Sequence, residues 1–236
     1  MMSIMKHYGK KFQNFKHLIK KDNPIIIEVG AHYGEDTLRF LEIFPNPTIY
    51  CFEPDDRNIL TFNKFVNSKN VNLIEKAVSN QNGSAEFYNS FTTYSHDKTP
   101  SKYDFIPLNE YNKHMLHNSG SSSLKKGYKN CLKTNSVVEM IRLDTWLKSN
   151  FIEQIDFIWV DVQGSEFEVI DGLGNKISKI NYLWIEYGEM FYEGAMDRDQ
   201  TISLLLKKGF ILLEEFSDLG SQGDLLFKNK EIIGIR

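Results

Sequence analysis

Four carboxylates fall at the ends of apolar runs: Glu28 in Ile25-Ile26-Ile27-Glu28-Val29, Glu53 after Thr48–Phe52, Asp161 after Ile155–Val160, and Glu186 after Ile180–Ile185. A carboxylate so placed can accept hydrogen bonds from ligand hydroxyls, take a proton from one, or help hold a hard divalent cation. Two glycines four apart, Gly30 and Gly34, follow the first run. Dinucleotide sites use G-x-G-x-x-G and phosphate loops use G-x-x-x-x-G-K, so this G-x-x-x-G spacing fits neither. Glu35 and Asp36 come next and would repel a pyrophosphate. The pattern suits either a ligand that is not a phosphate anion or simply a tight turn. Glu53 directly precedes Pro54. In a doubly wound sheet an acid there offers two oxygens to the vicinal hydroxyls of a ribose; the plainer reading is an acid at a helix start. In Asp161-Val162-Gln163-Gly164-Ser165-Glu166, Gly164 allows a tight turn and Glu166 opens the following helix.

These residues need strands that end side by side. Ile25–Val29 is β-branched and continuous, as expected for a strand buried on both faces of a parallel sheet. A helix over 35–44, a strand over 48–53, a helix over 56–67 and a strand over 71–74 follow, a βαβαβ run. Ile59, Leu60, Phe62, Asn63 and Val66 supply the apolar face of the second helix. Ala77-Val78 and Ala85–Tyr88 flank a turn at Gly83. Residues 91–135 are polar and irregular, a long loop that is either functional or partly disordered. Regular structure resumes at Val137–Leu143, with Asp144 capping a helix over 145–149. Strands over 155–161, 180–186, 210–213 and 225–228 and helices over 166–173 and 199–208 complete the chain. This predicts one α/β domain over 23–236, with residues 1–22 as an appended amphipathic helix built on Tyr8, Phe12, Phe15 and Ile19. That helix either docks on a surface or substrate, or covers one end of the sheet.

The net charge of -3 averages two unlike parts. The first 21 residues hold six lysines and no acid, so the acidic excess lies entirely in the rest. An acidic body disfavours a nucleic-acid backbone as partner. Cys51 and Cys131 make neither a disulfide framework nor a metal-ligand spacing. With no apolar run of membrane-spanning length and no signal-peptide pattern, the expected location is the cytoplasm. The oligomeric state is not legible.

The order Glu-Val-Gly-Ala-x-x-Gly-x-x-Thr, Phe-Glu-Pro, Leu-Asp-Thr-Trp, Asp-Val-x-Gly-Ser-Glu and Ile-Glu resembles the FkbM family of S-adenosylmethionine-dependent methyltransferases. The match runs from about Ile25 to Glu186. Family members commonly carry Glu where this chain has Gln163 and Ala where it has Ser165, which puts a charge role at 163 in doubt. Ser121-Ser122-Ser123-Leu124 also looks like a family element. The resemblance implies a Rossmann-like class I methyltransferase, a mostly parallel seven-stranded sheet with helices on both faces and an antiparallel last strand. It implies S-adenosylmethionine across Gly30–Gly34, with Glu28, His32, Tyr33, Thr37 and Asp161 among its contacts, Glu53 on the ribose, and Ala77 and Val78 beside the adenine. It further implies a hydroxyl acceptor on a sugar, glycan or related natural product.

An alcohol becomes an adequate nucleophile as its proton leaves. Asp161 and Glu186, with Glu166, are the candidate catalytic acids that take or orient that proton; alternatively Asp161 and Glu186 hold magnesium. His96, His114 and His117 lie in the long loop as lesser candidates for the base. The rival readings are a ribose 2′-O-methyltransferase acting on nucleic acid, a nicotinamide oxidoreductase, and a catalytically silent module that keeps the fold for binding.

Overall fold

The computed structural model describes residues 15–91, 106–107, 119–127, 132–188, 191–217 and 222–231. The βαβαβ run forms as β1 (Ile25–Val29), α1 (Glu35–Ile43), β2 (Thr48–Phe52), α2 (Asp56–Phe65) and β3 (Val71–Ile74). There follow β4 (Ala77–Val78), β5 (Gly83–Phe91), β6 (Leu132–Ile141), α3 (Leu143–Ser149), β7 (Ile155–Val160) and α4 (Glu166–Gly172). The chain ends with β8 (Ile180–Tyr187), α5 (Arg198–Lys207), β9 (Phe210–Ser217) and β10 (Gly223–Asn229). Seven strands make one sheet in the order β3-β2-β1-β7-β8-β10-β9. The strands β3 to β8 of that order run parallel, and β10 lies antiparallel between β8 and β9.

Alternation along the strands sends side chains to two cores. Ile27, Val29, Ile158, Val160, Leu183 and Ile185 meet Trp146 of α3, Val169 of α4 and Leu205 of α5 on one face. Ile26, Phe157, Trp159, Tyr182 and Trp184 meet Phe40 of α1 and Phe62 of α2 on the other. Helices therefore cover both faces. Phe15, within a helical turn at 15–19, joins the second core: it is 1% exposed, with its ring 4.8 Å from Phe157 and edge-on to Trp184. Lys21 pairs with Asp156 at 3.0 Å. The end of the leader is thus a cover for the sheet face; Tyr8 and Phe12 lie outside the described residues.

Three local expectations need correction. On α2 the buried residues are Asn58, Ile59, Thr61 and Phe62, while Leu60 and Asn63 face solvent, because the helix begins with Asp55 capping Arg57 and that phase sets the inward face. Asp144 does not cap α3; it lies in the first turn and pairs with Arg142, the actual N-cap. Part of the expected loop is strand: β6 starts at Leu132 and pairs antiparallel with β5 from Gly83↔Met140 to Phe91↔Leu132, forming a second sheet, β4-β6-β5. Polar Lys133, Thr134 and Asn135 hide that strand from a hydrophobicity reading, since its ladder rests on backbone hydrogen bonds. No helix among the described residues is long and apolar enough to cross a membrane.

Candidate functional site

The carboxyl ends of β2, β1, β7 and β8, four adjacent strands, open into a cavity of about 380 Å³ lined by Glu53, Glu28, Asp161 and Glu186. The sheet order reverses between β1 and β7, where open α/β sheets bind ligands. Gly30 makes the floor. Its N–H donates to Phe52 O at 2.9 Å, and Asp161 N–H donates to Val29 O at 3.0 Å, so the ends of three strands are stitched together. A Cβ on Gly30 would stand 1.8 Å from Asp161 O, and its φ of 89° is left-handed, so only glycine fits.

The turn after β1 aims main chain at the next acid. His32, at φ 50°, donates its N–H to Glu53 Oε2 at 2.8 Å. Glu53 Oε1 accepts from Asp55 N–H at 2.9 Å and from Asn58 Nδ2 at 3.1 Å. Burial lifts the Glu53 carboxyl to about 7 despite those donors. Burial, then the nearby Asp36, likewise pushes Glu28 well above the usual carboxylate range, and the Thr37 hydroxyl donates to it.

On the other side, Gln163 stands between two acids. Its Nε2 donates to Asp161 Oδ1 and to Glu186 Oε2, both at 2.7 Å. Gln222 Nε2 donates to Glu186 Oε1 at 2.7 Å. Burial, with Asp161 and Asp224 close by, raises Glu186 well above the ordinary carboxylate range. Gln163 takes φ 56°, and its Oε1 accepts from the Tyr192 hydroxyl at 2.9 Å.

A serine segment roofs the cavity. Ser119 Oγ lies 3.1 Å from His32 Nε2 and 3.0 Å from the Tyr33 hydroxyl. Ser122 Oγ accepts from Ser90 N–H, and Ser123 Oγ donates to Gln163 O at 2.7 Å. Ser121 O lies 3.1 Å from the Tyr192 hydroxyl, whose single proton it shares with Gln163 Oε1.

Of the residues singled out from the sequence, Glu28, Gly30, His32, Glu53, Ala77, Val78, Asp161 and Glu186 line this cavity together. Tyr33, Gly34, Thr37 and Glu166 do not. Tyr33 is buried and stacked on His32 at 3.8 Å, with burial pushing its hydroxyl up to about 12. A Cβ on Gly34 would meet Val66 Cγ2 at 2.3 Å, so that glycine serves the packing of α1 on α2. Thr37 is spent on Glu28. Glu166 turns back into its own loop, accepting from Val162 N–H at 3.2 Å and Gly164 N–H at 3.0 Å, and burial lifts it to about 7. Among the described residues no group of three or more His, Cys, Asp or Glu is arranged to hold a metal ion. His96, His114 and His117 lie outside the described residues. The sequence reading passed over Asn58, Ser119, Tyr192 and Gln222 and discounted Gln163; only the Ser121–Leu124 element hinted at the roof.

Residues 28–212 match the family model described as the methyltransferase FkbM domain. The chain is 30% identical over 223 residues to the 2-O-methyltransferase NoeI of Sinorhizobium fredii, covering 91% of this chain and 83% of that protein. Among solved structures, a putative rRNA methylase from Clostridium thermocellum aligns with a TM-score of 0.50 at 11% identity, over 94% of both chains. The Methanococcus jannaschii fibrillarin pre-rRNA processing protein aligns with a TM-score of 0.50 at 13% identity, over 90% of this chain and 69% of that one. At such identities these structures show the shared class I methyltransferase fold alone.

Proposed function

The chain belongs to the FkbM methyltransferase family, and we propose that this S-adenosylmethionine-dependent methyltransferase transfers the methyl group to a hydroxyl oxygen of a sugar, a glycan or a related hydroxylated natural product. When bound, S-adenosylmethionine supplies an electrophilic methyl carbon on a sulfonium cation. The residues present fit it in two respects: Gly30 leaves a cradle that any side chain would fill, and the lining acids suit a cation. Gly30, His32 and Glu53 hold the donor, with Ala77 and Val78 against its base.

The observation that carries the hydroxyl reading is the Asp161–Gln163–Glu186 arrangement. An alcohol needs its proton accepted as it attacks, and a carboxylate raised above its ordinary pKa is the stronger base. Glu186 is so raised and partly open to the cavity. Asp161 orients the same hydroxyl, and Gln163 donates to both carboxyl groups and holds their orientation. Positioning in line with the methyl carbon supplies much of the remaining rate. Because both acids accept from the same N–H donor group, which a cation would repel, we assign them to the hydroxyl rather than to magnesium.

The name of the relative from Sinorhizobium fredii supports transfer to oxygen. A phosphodiester acceptor is disfavoured: Glu35, Asp36 and Asp161 line the cavity, against Lys76. The test offers isotopically labelled S-adenosylmethionine with a panel of glycans and RNAs. Label on a glycan hydroxyl is the expected result; label on RNA alone, or on nothing with the donor bound, would overturn the reading.

A further inference from the structure

Gln163 serves both acids from the end of a long, flexible side chain. Holding such a side chain in one place costs entropy, so its far end needs an anchor. That anchor comes from another part of the chain, residues 191–195, which run beside the serine roof. Tyr192 forms a bridge with Gly127, Glu193 N–H donates to Lys126 O at 2.9 Å, and Lys125 Nζ donates to Gly194 O at 2.9 Å. Lys125 also pairs with Glu168 of α4 at 3.0 Å. The backbone around Tyr192 is therefore fixed independently of its side chain.

The side chain of Tyr192 is buried and stands against Gly164, where a Cβ would come 2.5 Å from the tyrosine's own Cβ. A ring that only filled this space would need no hydroxyl. Here the hydroxyl lies 2.9 Å from Gln163 Oε1 and 3.1 Å from Ser121 O. The amide orientation follows from its other end, since turning it over would set Oε1 against both carboxyl groups. Neither amide oxygen carries a proton, so the tyrosine is the donor to both. A series of hydrogen bonds results: Tyr192 O–H to Gln163 Oε1, and Gln163 Nε2 to Asp161 and Glu186. Bonds in series polarise one another, so a donor on the amide oxygen makes the amide N–H a stronger donor at its far end.

We propose that Tyr192 is the positioning residue of the base: its hydroxyl anchors the Gln163 carboxamide and, through it, holds Glu186 ready to accept the proton of the acceptor hydroxyl. This rests on the hydroxyl-transfer reading of the cavity. Tyr192 acts through Gln163 and is given no contact with either substrate.

Glu186 is faced by Asp161, Asp224 and Glu166, and by the amides of Gln163 and Gln222, so the test must isolate the Gln163 path. The 13Cδ signal of Glu186, assigned by its loss in Glu186→Gln, is titrated with pH in the full chain, in Tyr192→Phe, in Gln163→Ala and in the double variant. Phenylalanine keeps the ring against Gly164. Its midpoint should rise by about half a unit in Tyr192→Phe, because the ionised carboxylate loses part of a donor. The same substitution made in Gln163→Ala should move it no further. Equal shifts in both backgrounds, or none in either, would overturn the proposal. With the acceptor found by the labelled-methyl panel, the acid limb of the kcat–pH profile should move with the midpoint, while KM for S-adenosylmethionine stays the same. A shifted midpoint with an unmoved profile would overturn the positioning role. Absence of methyl transfer to any hydroxyl would overturn the hydroxyl reading, and the base with it, while the titration still reported the linkage of Tyr192 to Glu186. One measurement needs no variant: the Tyr192 13Cζ signal should move through the Glu186 midpoint. A signal that stays flat there overturns the proposal even if Tyr192→Phe fails to fold.

Discussion

Gln163 and Glu186 meet through a single hydrogen bond of 2.7 Å, and the same amide nitrogen reaches Asp161 with its second proton. A neutral donor is thus shared by two carboxyl groups that also lie against each other. Replacing it by a third acid should expose the arrangement. In Gln163→Glu, like-charge repulsion raises Glu186 further, and the acid limb of the kcat–pH profile moves up by about one unit. KM for the donor stays near its original value. An unchanged profile would separate Gln163 from the chemistry.

Metal dependence follows from the same contact. With an amide bridging the acids, turnover is expected to be the same with EDTA as with added magnesium. Activity lost to the chelator and restored by magnesium would return Asp161 and Glu186 to the metal role.

Stability should fall as pH rises. Glu53 and Glu166 ionise near 7 when folded, against about 4.5 unfolded. Between those values the folded chain holds protons that the unfolded chain has released. The stability they contribute is complete below about 4.5 and is lost as pH climbs through about 7. The upper bound is about 3 kcal/mol per group. Thermal unfolding midpoints should drop from pH 5 to pH 8, and Glu166→Gln, which keeps an acceptor toward Val162 and Gly164, should flatten the slope. An equally steep slope in that variant would contradict the assignment.

Phe15→Ala should cost about 3 kcal/mol by urea denaturation, as expected when a fully buried phenylalanine is removed. At low temperature kcat should remain, because Phe15 packs on the face of the sheet at Phe157 and Trp184, away from the carboxyl edge. A variant of full stability but altered acceptor KM would give the leader a substrate role instead.

The strand-end acids were readable because a buried parallel strand is a nearly unbroken apolar run, and a carboxylate at its end has one place to go. Where a side chain points after the strand ends was not readable. His32 and Gln163 both take left-handed backbone, which turns one main-chain N–H toward Glu53 and one amide between two acids. Glu166 looks like Asp161 in sequence, yet it folds back on its own turn. The serine roof was visible only through a family likeness, because a polar run carries no period. β6 was shortened for the same reason.

The roof couples the two sides of the cavity. Ser119 is tied to the turn that carries His32, and Ser123 to the turn that carries Gln163, so one short segment is bonded to both. A change of backbone anywhere from Ser119 to Ser123 is therefore felt at the Glu53 side and at the Glu186 side together.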